Sequence, residues 1–268
     1  VIRLAKMGFL IYDIEKEQVY VKDKVFDYLN AKAGQVDYDV IQFHSQITVQ
    51  DNATLNLLNF DLKIRGISRV ALSDSQRVFI YPTEQEITLK ENRDFSFSGR
   101  VHAGRFDFHG SNFDFYYDQF KIEMPIIDSM TFKVRSKQPN EYGYFPLVKV
   151  KNVIEDLRGN LLIDHPNNKS GLKHFPSYSI FNCFNDPFVY YDSKKILGGA
   201  YERDKFYYHM KPFTIDSLNT FEADALKFEG YLSSGGIFPD IEEDIGVMDD
   251  YSLGFKTQTP VEGLPMYE

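Results

Sequence analysis

Between Thr54 and Met124 one short unit keeps recurring: two apolar residues flank a single intervening residue and are followed by Gly, Asn, Asp or Pro. The pairs are Leu55/Leu57, Leu62/Ile64, Val70/Leu72, Val78/Ile80, Ile87/Leu89, Phe95/Phe97, Phe106/Phe108, Phe113/Phe115 and Ile122/Met124. Alternation at period two places both members of a pair on one face of a strand, so each unit predicts a short half-buried strand that turns almost at once. Parallel βαβ units need a crossover of a dozen or more residues, and the spacing here leaves no room for one. The strands are therefore either antiparallel hairpins or successive sides of a solenoid coil.

The expected fold is mainly β, a β-solenoid of the parallel β-helix type with short helices. The alternative is a twisted antiparallel sheet or sandwich. The solenoid reading rests on repetition. Phe95-Ser-Phe-Ser-Gly99 is echoed by Phe106-Asp-Phe-His-Gly110. Asn52, Asn56, Asn59, Asn92 and Asn112 stand at or near corners, where Asn tolerates the positive φ of a sharp bend. A longer echo links Phe115-Tyr-Tyr and Ile127-Asp-Ser-Met130 to Phe206-Tyr-Tyr and Ile215-Asp-Ser-Leu218, as duplication of a β unit would.

Four regions are predicted. Residues 1–36 form a mixed α/β cap: 9–12 and 18–21 alternate as a hairpin, and Val25, Phe26, Tyr28, Leu29 and Ala33 share one helical face between Asp23 and Gly34. Residues 37–135 are the β-repeat region. Residues 136–146, where Pro139, Asn140 and Gly143 cluster and the alternation lapses, read as a linker. Residues 147–268 form a second β-rich region opened by an amphipathic helix, with Leu147, Val150, Val153, Ile154 and Leu157 three and four residues apart up to Gly159. The chain does not begin with Met and shows no basic-then-apolar leader, no apolar run of membrane-spanning length and no recognisable closing element at 259–268. It reads as a piece of a longer protein.

At 268 residues the chain is long enough to bury roughly three-quarters of its unfolded surface, so neither a metal nor a disulfide is required for stability. Twenty-four Phe and 18 Tyr suit strands and argue against disorder. The net charge of -9, with Lys194/Lys195 a pair and not a patch, argues against nucleic acid and anionic lipid surfaces. Cys183 sits among apolar neighbours and reads as a small buried hydrophobe.

No catalytic, metal or nucleotide motif stands out. The densest acidic stretch, Asp240, Glu242, Glu243, Asp244, Asp249 and Asp250, is a calcium candidate, but it lacks the alternating spacing of an EF-hand and its default is a solvated loop. Asp164 and His165 in an Asn- and Gly-rich loop are the most site-like pair, set against the composition of a tight turn. His102 and His109 lack the close pairing of a zinc helix, and Arg105, Asp107 and His109 alternate with Phe106 and Phe108 as the wet face of one strand. Asp107, Asp114 and Asp118 are candidate paired carboxylates for glycoside hydrolysis if adjacent strands bring them together. The aromatic stripe fits a filled core, or a groove for sugar rings or acyl chains.

The run from Asn92-Arg-Asp-Phe-Ser-Phe to Phe106-Asp-Phe-His-Gly110, with Asp164-His-Pro-Asn-Asn-Lys-Ser-Gly171 and Tyr251-Ser-Leu-Gly-Phe255, resembles very large, uncharacterised envelope proteins of Bacteroidota. That resemblance implies an exported β-repeat protein and carries no known activity. The strand rhythm is also similar to the solenoid modules of lipopolysaccharide-transport proteins. The expected function is a non-catalytic structural or binding module in the bacterial cell envelope, periplasmic or surface-exposed. The alternatives are a glycan-binding or glycan-processing β-solenoid and a lipid-conducting groove. Expected partners are a glycan, a lipid or an envelope protein, with no nucleic acid; no cofactor is expected beyond calcium.

Overall fold

The computed structural model describes residues 1–263 except 7, 38, 47–50, 195 and 197. An N-terminal unit holds helix α1 (Ile2–Lys6), a hairpin of β1 (Leu10–Asp13) and β2 (Gln18–Val21), and helix α2 (Asp23–Lys32). Then come five short strands: β3 (Ala53–Leu55), β4 (Leu62–Arg65), β5 (Val70–Ser73), β6 (Val78–Pro82) and β7 (Glu86–Leu89). Longer strands follow as β8 (Phe95–Ala103), β9 (Phe106–Tyr116) and β10 (Lys121–Arg135), then β11 (Leu147–Lys149) and the long β12 (Ile154–Leu162). The rest are β13 (Ile180–Cys183), β14 (Phe188–Tyr190), β15 (Phe206–Met210), β16 (Thr214–Ile215), β17 (Lys227–Phe228), β18 (Gly230–Ser234), β19 (Ile245–Val247) and β20 (Leu253–Gly254).

Fifteen strands form one sheet, ordered β18-β15-β14-β12-β10-β9-β8-β7-β4-β3, with β11 beside β10, β13 beside β12 and β16 beside β13, and β6 beside β8 and β5 beside β6. Every strand pairing among the described residues is antiparallel. The expected solenoid is therefore not present, since its coils would stack strands in parallel, and the antiparallel alternative describes the chain. The repeating pairs are successive limbs of hairpins. Asn92, with φ of 58°, sits in the tight turn joining β7 to β8, whereas Asn112, also at 58°, lies inside β9.

The helix expected over Leu147 to Leu157 is also absent: these residues form β11, a short break and the start of β12. The cause is local. Asp156 adopts φ of 61° and interrupts the alternation of β12, so its buried positions are Ile154, Leu157, Gly159 and Leu161. An irregular strand thus imitates helical spacing. Residues 136–146 connect β10 to its antiparallel neighbour β11, and the sheet runs past them into β12. The hairpin forms within a residue of the expected 9–12 and 18–21, and α2 lies between Asp23 and Gly34, with Phe26, Tyr28 and Leu29 of its apolar face exposed.

The long strands each serve two sets of neighbours. β8 pairs with β7 through Phe95 and Ser96, and with β6 from Gly99 to Ala103. β12 pairs with β14 through Ile154 and Glu155, and with β13 from Gly159 to Leu162. Between these halves lie register shifts at Phe97/Gly99, Met124/Ile127 and Ile127/Ser129, and such bulges bend strands. The sheet accordingly splays into two leaves. One is extended by β7, β4 and β3 on one side and by β13 and β16 on the other; the second is extended by β6 and β5, and by β14, β15 and β18. Gly99 and Gly110 face each other at the bend, because a Cβ would lie 2.4 Å from the Tyr81 carbonyl oxygen at the first and 2.1 Å from that of Ile126 at the second.

The inner faces of the leaves close into one core. Phe95, Phe97, Phe106, Phe108, Phe113 and Phe115 are all 5% exposed or less, so the aromatic stripe is interior and not the lining of a groove. Burying a ring of this kind contributes roughly 1.5–3 kcal/mol. A loop at 215–221 seals one end: the Arg105 N–H donates to the Leu218 carbonyl and the Arg105 Nη1 to that of Phe221, both at 3.0 Å, while the Phe221 ring packs on Phe106. Arg105 is buried at the β8–β9 turn and is no part of a wet face.

Candidate functional site

The acidic stretch is divided by β19. Asp249 and Asp250 occupy the turn after it, where Lys137 Nζ lies 2.6 Å from Asp249 and Lys151 Nζ 2.9 Å from Asp250. The Ser252 hydroxyl, then Lys151, hold the Asp250 carboxyl well below the usual range. Glu243 accepts a hydrogen bond from the Thr257 hydroxyl. Asp240, Glu242 and Asp244 are exposed on the run into β19. Among the described residues no three His, Cys, Asp or Glu side chains are grouped so as to hold a metal ion.

Asp164 is buried and its carboxylate is fully engaged. It accepts from its neighbour's N–H, His165, at 2.7 Å, from Asn168 Nδ2 at 2.9 Å and from Gln76 Nε2 at 3.1 Å. Ser170 in the same loop donates to Asp37. The loop is thus a clasp between distant segments. The His165 ring stacks on Phe175 at 4.6 Å, and its Nδ1 accepts from the Asn167 N–H.

Of the three candidate carboxylates, Asp107 lies 3.0 Å from His102 Nδ1 and 3.6 Å from Arg100 Nη1. Burial pushes its carboxyl up, but the His102 hydrogen bond and the nearby positive charges outweigh this and hold it below the ordinary value. Asp114 instead pairs with Lys90 and Ser96, and Asp118 is exposed beside Arg93. Seven residues of strand separate Asp107 from Asp114, about 20 Å, so the fold does not assemble them as a glycosidase pair.

What the fold does assemble lies on the outer, solvent-facing side of the second leaf. Register aligns a single row across eight strands: Tyr81, Arg100, His109, Ser129, Glu155, Phe188, His209 and Tyr231. Its far end is aromatic. Phe188 lies 5.6 Å from both Tyr190 and Tyr207 and 4.8 Å from His209, which is 5.0 Å from Tyr231. All five side chains are partly exposed, whereas Val189 and Tyr208 between them point inward. Arg203 caps the group, 3.5 Å over the Tyr190 ring and bonded to Glu155 at 2.6 Å and Asp192 at 3.3 Å.

No local motif marks these residues, because they come from separate strands. Their only local trace is the outward half of the alternation in Phe188-Val-Tyr190 and Tyr207-Tyr-His209. Chemically the surface offers ring edges and faces, flanked by a guanidinium and carboxylates that can bond hydroxyl groups. No helix among the described residues is long and apolar enough to cross a membrane. No family model, curated protein or solved structure matches the chain.

Proposed function

We propose that this chain is a non-catalytic binding module of a large exported bacterial envelope protein, and that it takes carbohydrate on the outer aromatic surface of the second leaf. On this reading the two leaves act as a sandwich-like scaffold for that surface. The carrying observation is the placement of Phe188, Tyr190, Tyr207, His209 and Tyr231 on the wet side of a sheet whose dry side already has a complete core. Partly exposed aromatic rings beside fixed hydrogen-bonding groups suit a ligand with apolar C–H faces and equatorial hydroxyls, which is what a pyranose presents. The resemblance to envelope proteins supports the cellular setting.

Affinity electrophoresis against bacterial and plant polysaccharides tests the reading. Wild-type protein is expected to be retarded by at least one of them, and Tyr207→Ala and Tyr231→Ala to weaken that binding about tenfold, ~1.4 kcal/mol, with no release of new reducing ends. A purely structural role, in which the rings only support strand pairing, instead gives lower melting temperatures and no retardation to lose. Hydrolysis abolished by Asp107→Asn or Asp114→Asn would replace the binding module with an enzyme.

A further inference from the structure

The opposite end of the same outer face is basic. Lys133 on β10 stands directly opposite Lys149 on β11, and Arg135 follows on the same side of β10. Like charges placed directly opposite one another destabilise a sheet, and the one carboxylate whose charge acts on Lys133, Asp107, makes its close ion pairs with Arg100 and His102 instead. Among the described residues Lys133, Arg135, Lys149 and, at the β5–β6 edge of the sheet, Arg69 make no ion pair within 4 Å, although all four are exposed. Several other cations on or beside the sheet are paired, Lys63 with Glu86, Lys90 with Asp114 and Lys121 with Glu123. The carboxylate in this region, Asp107, is already shared by Arg100 and His102.

Two rings are built into the basic end. The Arg69 guanidinium lies 4.0 Å over Phe79 and that of Arg100 4.0 Å over Tyr81, which holds both flat and oriented. The row from Tyr81 to Tyr231 joins this end to the aromatic cluster, seven strand spacings of about 4.8 Å in all. In a chain with 39 acidic and 30 basic side chains, a patch of unpaired cations runs against the composition. It calls for an anion from outside.

We infer that the ligand is an acidic heteropolysaccharide, a chain in which neutral sugars alternate with uronic acids, lying across the strands with its carboxylates on Lys133, Lys149 and Arg69 and its neutral rings on the aromatic cluster. This rests on the carbohydrate-binding reading above and narrows it. A polymer charged at every unit fits less well, because the aromatic half is flanked by Glu155, Asp156 and Asp192. The net charge of the chain also repels nucleic acid beyond the patch.

The probe is hyaluronan, compared with the same polymer after its carboxylates are reduced to alcohols, by isothermal titration at low and high salt. Native hyaluronan is expected to bind at least about tenfold more tightly than the reduced form at low salt, and the advantage to vanish at high salt. The double variant Lys133→Gln/Lys149→Gln is expected to lose the same advantage without a fall in melting temperature, since it removes a like-charge pair. Equal binding of native and reduced polymer, with Tyr207 still required, overturns the acidic assignment and leaves the carbohydrate reading intact. Failure of both polymers and of every neutral polysaccharide overturns both. Single-stranded DNA bound as tightly as hyaluronan overturns the choice of a polysaccharide.

Discussion

The ring of Phe108 on β9 lies 4.6 Å from the ring of Phe181 on β13, although two strands, β10 and β12, stand between them in the sheet. In a flat sheet that separation is about 14 Å. The two rings meet because the long strands bend at their bulges and fold the inner faces of both leaves onto one core.

This contact makes a direct prediction about stability. Phe108→Ala and Phe181→Ala are each expected to cost about 3–5 kcal/mol, read as a lower urea midpoint with little change in slope. In the double variant the losses should fall short of additivity by about 0.5–1.5 kcal/mol, the coupling of an aromatic pair. Strict additivity would mean that the leaves do not meet there.

The bend depends on glycine. Gly110→Ala forces a methyl group toward the Ile126 carbonyl, and Gly99→Ala adds a side chain at φ of 143° against the Tyr81 carbonyl. Each is expected to destabilise by about 1–3 kcal/mol, measured by thermal unfolding. Alanine at Gly143, where nothing lies within 4 Å of an added Cβ, shares the positive φ but not the clash and should cost less.

Asp164 is expected to be structural. Asp164→Ala leaves the His165 N–H, Asn168 and Gln76 without their acceptor and should cost about 1–3 kcal/mol. Hydrogen exchange at 164–173 should rise in parallel. Unchanged stability combined with lost ligand binding would move this loop into the functional site.

Alkaline pH should weaken the fold through Tyr191. Its ring packs on Phe206 and its hydroxyl donates to the Leu253 carbonyl, and burial pushes that hydroxyl up to about 12, against about 10 in an unfolded chain. The folded state holds this proton more tightly, so its share of stability is complete below about pH 10 and is lost as pH rises toward 12. Tyr191→Phe is therefore expected to shift the alkaline unfolding midpoint upward and to change little at neutral pH. An unchanged midpoint would show that this hydroxyl does not drive the transition.

Much of the fold was legible along the chain. Period-two alternation is a local property of strands, and it correctly placed Phe95, Phe97, Phe106, Phe108, Phe113 and Phe115 in one interior. It misled at Leu55 and Leu57, which are exposed near the outer edge of the first leaf, because alternation names a face and not what covers it. At β12 a single residue, Asp156, turned a strand's spacing into that of a helix.

The choice between coil and antiparallel sheet was not local. Both place apolar pairs at the same interval, and only the pairing partners distinguish them. The candidate surface was hidden for the same reason. Lys133 faces Lys149, and Phe188 meets His209 and through it Tyr231, by register between strands, so the cation patch and the aromatic cluster exist only once the sheet has formed. Alternation marked the apolar face of each strand, because that is a property of neighbouring residues; which of those faces a second leaf covers, and which wet residues stand together, follows from pairing and bending between strands distant in the chain.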